Sequence, residues 1–314
     1  MSQTTVTLKK QSYFRRLGRN VVEHPLLYLM FLPVVAYYII FHYAPMYGVV
    51  IAFQDYKPMR GIAGSQFVGL KHFQTFVNGP FFWRLVRNTL SINIGMLLFA
   101  FPMPIIFALM LNEVRSVRFR KVVQTVTYMP HFVSSVVVCG LMLIFCRSDG
   151  IVTIALNALG LVEKTNLLTI KQYFQPLYIL MNIWQELGWD SIIYFAALTA
   201  IDAELYEAAT VDGAGRWRRM WHITIPGILP TIVMLLILRI GNLMSLGWDR
   251  IYLLQSEIVY ETSDVISTYV YRTGLVQTQY SYATAVGLMN SVVNVILLFS
   301  ANAFARRVSE NSLW

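Results

Sequence analysis

The sequence predicts an all-α, polytopic membrane protein with six transmembrane helices, and three observations carry that expectation. Hydrophobic residues make up 56% of the 314 positions and charged residues 13%, a balance too apolar for an ordinary soluble domain. A helix crosses a bilayer with roughly 20 mostly apolar residues. Six runs meet that length: Leu26–Phe53, Thr89–Leu111, Val122–Cys146, Pro176–Ala200, Ile223–Leu246 and Ala283–Ala305. Four of the six hold no Asp, Glu, Lys or Arg.

The arm at 1–25 carries Lys9, Lys10, Arg15, Arg16 and Arg19. The apolar run after it far exceeds a signal-peptide core of about 7–15 residues, so it is expected to stay as an anchor. This first span, 26–53, contains Pro33 and Pro45, and a kink is expected near Pro45. In the region 54–88, Phe67, Leu70, Phe73, Phe76 and Val77 recur at near-helical spacing, as do Phe81, Leu85 and Val86, and these read as short interfacial helices. Asn78-Gly79-Pro80 is a turn between them.

A short basic turn, Asn112–Lys121, precedes the third span, which carries Pro130, His131, Ser134 and Ser135. Asp149-Gly150 marks another turn, and Ile151–Leu161 is a short apolar helix. The segment 247–282 reads as a polar, Tyr-rich outer loop, and 306–314 as a tail.

Lys and Arg in the loops set orientation. With the N-terminus in the cytoplasm, the inside segments hold fourteen of them and the outside segments ten, spread over longer loops. Both termini are therefore expected in the cytoplasm. The formal charge of +9 then follows from topology and requires no nucleic acid. Basic segments beside the membrane also favour anionic lipid. Cys139 and Cys146 sit seven residues apart on one helix, about 10 Å, beyond disulfide reach. No Cys/His metal spacing, Gly-rich phosphate loop or nucleophile elbow is present. The expectation is a chain without catalytic or metal-ligating residues of its own, that is, not an enzyme.

Between the fourth and fifth spans lies a compact polar insert, 201–225. Asp202 is placed to cap a helix with Glu204 in its first turn, and Gly213 and Gly215 stop it. A second short helix, Arg216–His222, sets Trp217 and Trp221 on one side as interfacial anchors, and Pro226 suits the start of the next span. Within the insert, Glu207-Ala208-Ala209 is followed after three residues by Gly213, and after nine more by Ile223-Thr224-Ile225-Pro226.

That spacing resembles the Glu-Ala-Ala loop of ATP-binding-cassette (ABC) importer permeases, departing from it only in Ile225 where the family has Leu. The resemblance covers about 81–304. It implies a type I importer core of five helices, 89–305, with the span 26–53 added in front. It also implies that Glu207, Ala208, Ala209, Asp212, Gly213, Ala214 and Arg216 dock into a motor ATPase. The segment Trp184-Gln185-Glu186-Leu187-Gly188-Trp189 is most similar to the carbohydrate-uptake branch, closest to permeases for acidic polysaccharides such as alginate.

By that resemblance the chain is a non-catalytic subunit of a bacterial inner membrane complex. Its implied partners are a second, homologous permease, two ATPase subunits that bind ATP and Mg, and a solute-binding protein meeting the loops 54–88, 147–175 and 247–282.

Charges at mid-bilayer cost about 2.5–3.5 kcal/mol on insertion scales, which makes Glu186, Asp190 and Arg239 functional candidates. Asn182, Glu186 and Asp190 fall on one helical face, near Trp184 and Trp189; Arg239 and Asn242 lie at similar depth, and Asn290 pairs with Asn294. One reading is an ion pair of Glu186 or Asp190 with Arg239, plus interhelical Asn bonds. The other is a translocation path in which Trp faces stack on sugar rings and amides and charges bond hydroxyls. His131 reads as a packed or Ser-bonded residue. Two rival classes use the same residues: an ion-driven secondary transporter with Glu186, Asp190 and Arg239 as a proton relay, and an intramembrane enzyme built on His131, Ser134 and Ser135.

Overall fold

The computed structural model describes residues 22–308, and the side chains of all but the last of these. Nearly all of the arm and most of the tail expected from the sequence lie outside the described residues. Long helices occupy each of the six expected runs: α1 (Pro25–Phe53), α3 (Phe82–Glu113), the pair α4 (Val117–Tyr128) and α5 (Ser135–Phe145), α7 (Lys171–Thr199), α9 (Arg216–Gly241) and α13 (Tyr280–Val308). Short helices fill the connections: α2 (Lys71–Val77), α6 (Ile151–Ala158), α8 (Ala203–Val211), α10 (Trp248–Leu254), α11 (Tyr260–Ser263) and α12 (Ile266–Tyr271). Strands β1 (Gln54–Asp55) and β2 (Gln66–Phe67), two residues each, form the one β pairing among the described residues.

Four helices are long and apolar enough to cross a membrane: α1, α3, α9 and α13. The other two expected spans deviate for visible reasons. The third is broken: Val117–Phe132 and Ser135–Phe145 meet at 97°. Val133 and Ser134 are extended there, and the Ser134 hydroxyl accepts the Val137 N–H at 3.4 Å, an N-cap that starts a new helix. The fourth, α7, runs unbroken for 29 residues, but its mid-portion carries Asn182, Gln185, Glu186 and Asp190, too polar to match the others.

Three of the prolines are accommodated in the same way. A π-turn ends two residues before Pro45, Pro102 and Pro226. In each case the residue just before the proline donates its N–H five residues back: Ala44 to Ile39, Phe101 to Met96, Ile225 to Met220. The extra residue in the turn makes room for a ring that would otherwise strike the carbonyl four positions earlier. Pro226 therefore lies within α9, which begins at Arg216, and the separate helix expected at Arg216–His222 is its first turns.

The segment 247–282 is no open loop. Ile251, Leu254, Val259, Val265 and Ile266 are buried, so α10, α11 and α12 fold back into the protein. Their anchor is Asp264, whose side chain is fully buried. It takes two bonds from Arg272, at 2.8 and 3.2 Å, one from Arg84 at 3.0 Å and one from Thr268 at 3.2 Å. Asn88 of α3 bonds the backbone carbonyls of Glu261 and Asp264, both at 3.0 Å.

The largest buried cluster joins Ile92 of α3, Val138 and Cys139 of α5, Phe174 and Tyr178 of α7 and Ile251 of α10. A second gathers Phe76, Leu85, Ile266 and Val286, and a third joins Ala108, Tyr194, Leu198 and Ile228. Close approach of α7 to α4 depends on Gly188, where a Cβ would strike the Thr127 carbonyl. Free, buried Cys139 and Cys146 pack in the first cluster.

Candidate functional site

Two regions draw together the residues singled out in the sequence. The first is the elbow formed by α8 and the start of α9. Asp202 caps α8 by accepting the Glu204 N–H at 3.0 Å. At the other end Gly213 adopts φ +76°, and two backbone bonds close the helix: Ala214 to Ala209 at 2.8 Å and Gly213 to Thr210 at 3.1 Å. This Schellman pattern requires the left-handed residue that glycine provides most readily.

The elbow is then braced across the turn. Arg219 donates to the Thr210 hydroxyl at 2.9 Å, and the hydroxyls of Tyr206 and Thr224 lie 3.1 Å apart. Arg216 approaches Glu113 at the end of α3 at 4.0 Å. Glu207, Ala208, Asp212 and Gly213 are exposed, and Ala209 and Ala214 half-buried. Among the described residues, neither the Glu207 nor the Asp212 carboxylate has a side-chain hydrogen bond or ion pair. The result is a rigid, small-faced projection carrying two uncommitted negative charges.

The second region is a cavity of about 960 Å³ between α3, α7 and α9, closed on one side by α10. Glu186, Trp189, Asp190, Arg239 and Asn242 all line it, as do Asn182 and Arg250. Trp184 is exposed and is not among its walls; neither are Asn290 and Asn294. Asn294 instead pins the end of α9, accepting the Met244 N–H at 2.9 Å and donating to the Ser245 hydroxyl at 2.7 Å.

The ion pair differs from the one the sequence suggested. Glu186 pairs with Arg250 at 2.7 Å rather than with Arg239, and Arg250 also donates to Asn182 at 2.6 Å. His131, at the bend between α4 and α5, donates through Nδ1 to the other Glu186 oxygen at 2.6 Å. Its ring stacks on Trp189 with centroids 4.3 Å apart and planes 1° apart. His131 is thus packed, as expected, but its partner is a carboxylate and not a serine. Asp190 and Arg239 have no hydrogen bond or ion pair among the described residues, although both face the cavity and are close enough for their charges to interact.

Sequence reasoning placed Arg250 in an outer loop and so missed it. The available signal was Trp248, Ile251, Tyr252 and Leu254, at helical spacing after Gly247. Beside Arg250, Trp248 stacks on Tyr271 at 4.3 Å, with Tyr252 edge-on to Tyr271 at 5.0 Å.

A helical bundle around a cavity that holds charged and amide side chains among apolar walls, with a braced external elbow, is the build of a transport permease, and sequence comparison places it. Residues 100–310 match the model of the binding-protein-dependent transport system inner membrane component, and the chain belongs to that family. It is a sugar ABC transporter permease with transmembrane helices.

Over 309 residues it is 47% identical to the polygalacturonan/rhamnogalacturonan transport system permease protein YteP of Bacillus subtilis (strain 168), covering 98% of this chain and 96% of that one. Protein LplB of the same organism is 45% identical, with 92% and 91% covered. Among solved structures, a permease chain of a bacterial ABC transporter involved in the import of the acidic polysaccharide alginate superposes with a TM-score of 0.84 at 44% identity, covering 93% of this chain and 99% of that one. A second structure, of a bacterial alginate ABC transporter in complex with an alginate pentasaccharide-bound periplasmic protein, gives 0.85 at 43%, with 95% and 100% covered.

Proposed function

We propose that this chain forms half of the translocation path of an ATP-driven, binding-protein-dependent importer for an acidic oligo- or polysaccharide, of the alginate or uronate type. All six expected spans cross the bilayer in this reading, with both termini in the cytoplasm of a bacterial inner membrane. A second, homologous permease supplies the other half. Two cytoplasmic ATPase subunits bind ATP and Mg, and a solute-binding protein delivers the saccharide from outside.

The observation that carries the substrate reading is the cavity. Its volume suits a sugar-sized guest, its walls combine an indole with amides and charges, and one guanidinium in it, Arg239, makes no hydrogen bond or ion pair among the described residues. An arginine fork suits a carboxylate better than any other side chain. The coupling reading rests on the elbow, where Glu207 and Asp212 stand exposed on a helix fixed at both ends. Closure of the ATPases would draw two such elbows together and swing the attached spans, alternating access to the cavity.

The test is uptake of a radiolabelled uronate oligosaccharide by the complete complex in proteoliposomes. ATP-dependent uptake is expected, insensitive to a proton uncoupler and reduced at least tenfold by Glu207→Arg. Uptake that survives that substitution and collapses with the uncoupler would replace this reading with an ion-coupled one.

A further inference from the structure

The charges of the cavity divide into two sets. Glu186 is bonded on one oxygen by Arg250 and on the other by His131, and Arg250 also donates to Asn182. These groups tie α7 to α10 and to the bend between α4 and α5. A guest carboxylate at Arg250 would have to compete with Glu186, which already neutralises that guanidinium at 2.7 Å. Asp190, one turn along the same face of α7, and Arg239, on α9, are both exposed to the cavity and bonded to nothing among the described residues. The four charges sum to zero, so an anionic guest meets no net attraction unless one cation is freed for it.

We propose that Asp190 and Arg239 form a carboxylate-exchange pair. Asp190 is the counter-charge of Arg239 while the cavity is empty, and the carboxylate of an arriving uronate takes its place. Arg239 is then the specificity-determining residue, and Asp190 limits how tightly the guest is held, so that it can leave again. Asn242, three residues from Arg239 on the same wall, and the half-exposed indole of Trp189 serve the hydroxyls and the ring face of any sugar, charged or neutral. The proposal rests on the acidic-saccharide reading and adds a charge logic to it.

Equilibrium binding to the assembled, detergent-free complex in nanodiscs tests it, with trigalacturonate and its uncharged counterpart galactotriose as probes and no solute-binding protein present. Arg239→Gln should weaken trigalacturonate at least tenfold and leave galactotriose within about twofold, since a charge-assisted bond is lost without loss of shape. Arg239→Lys should recover part of the affinity. Asp190→Asn should tighten trigalacturonate severalfold, the sign opposite to that of a merely structural carboxylate.

Equal trigalacturonate affinity in wild type and Arg239→Gln would overturn the exchange pair while leaving the transport reading intact. So would weakening of both probes alike, or weaker trigalacturonate binding in Asp190→Asn. A wild-type complex that binds galactotriose but not trigalacturonate would remove the acidic-saccharide reading itself, and the pair with it.

Discussion

Asp264 shows how much one side chain can organise. A fully buried carboxylate is tolerated because two guanidinium groups and a hydroxyl converge on it. Asp264→Leu leaves Arg84 and Arg272 half-buried without their partner and should cost about 3–5 kcal/mol, the range for breaking a buried pair from one side. Arg84→Met should cost less, because the two bonds from Arg272 remain. Thermal unfolding of the purified complex checks both, and a shift for Asp264→Leu no larger than for Arg84→Met would be contrary. The sequence announced none of this, since Asp264 reads as one acidic residue in a polar loop. Glu186 carries the same lesson: depth alone made Arg239 its expected partner, whereas the actual one, Arg250, arrives from a segment 64 positions away that doubles back. Pairings of that kind depend on tertiary return, which local spacing does not encode.

At the scale of the element, what was legible is what short-range chemistry decides. The Asp202 cap and the Gly213 stop follow from residue type at fixed offsets, and both stand where they were expected. The proline sites were legible as perturbations but not in form: a perturbation was expected near Pro45, and its form is a π-turn inserted ahead of that proline and of two others. The break in the third span was missed because Val122–Cys146 holds no Asp, Glu, Lys or Arg, although Pro130, Ser134 and Ser135 stand where the chain turns. Its seam is a cap. Ser134→Ala removes the acceptor of the Val137 N–H and should destabilise the start of α5 by about 1 kcal/mol. A companion Ser135→Ala, whose hydroxyl caps nothing among the described residues, should lie within about 0.5 kcal/mol of wild type in the same unfolding assay. Equal shifts in the two would mean that the bend is set by packing alone.

For the molecule as a whole, the open question with the sharpest answer is sidedness, because the proposed coupling requires the elbow and the 54–88 region to lie on opposite faces of the membrane. By the distribution of Lys and Arg, the elbow is expected inside. The protein is well suited to a direct test, since its two native cysteines are buried, at 1% and 0% exposure, and should resist a bulky reagent. Val211 at the end of α8 is 88% exposed, and Met59 in the region before α2 is fully exposed. A membrane-impermeant maleimide should label Met59→Cys in intact spheroplasts but not in inverted vesicles. Val211→Cys should show the reverse pattern. If α8 also docks against an ATPase, labelling of Val211→Cys in inverted vesicles should fall severalfold when the ATPase subunits are present and recover when they are stripped away. Labelling of both cysteines from one side would contradict the six-span reading, because the 54–88 region and the elbow would then be separated by an even number of crossings. Sidedness as expected but without protection would keep the topology and remove α8 from the contact that transmits force.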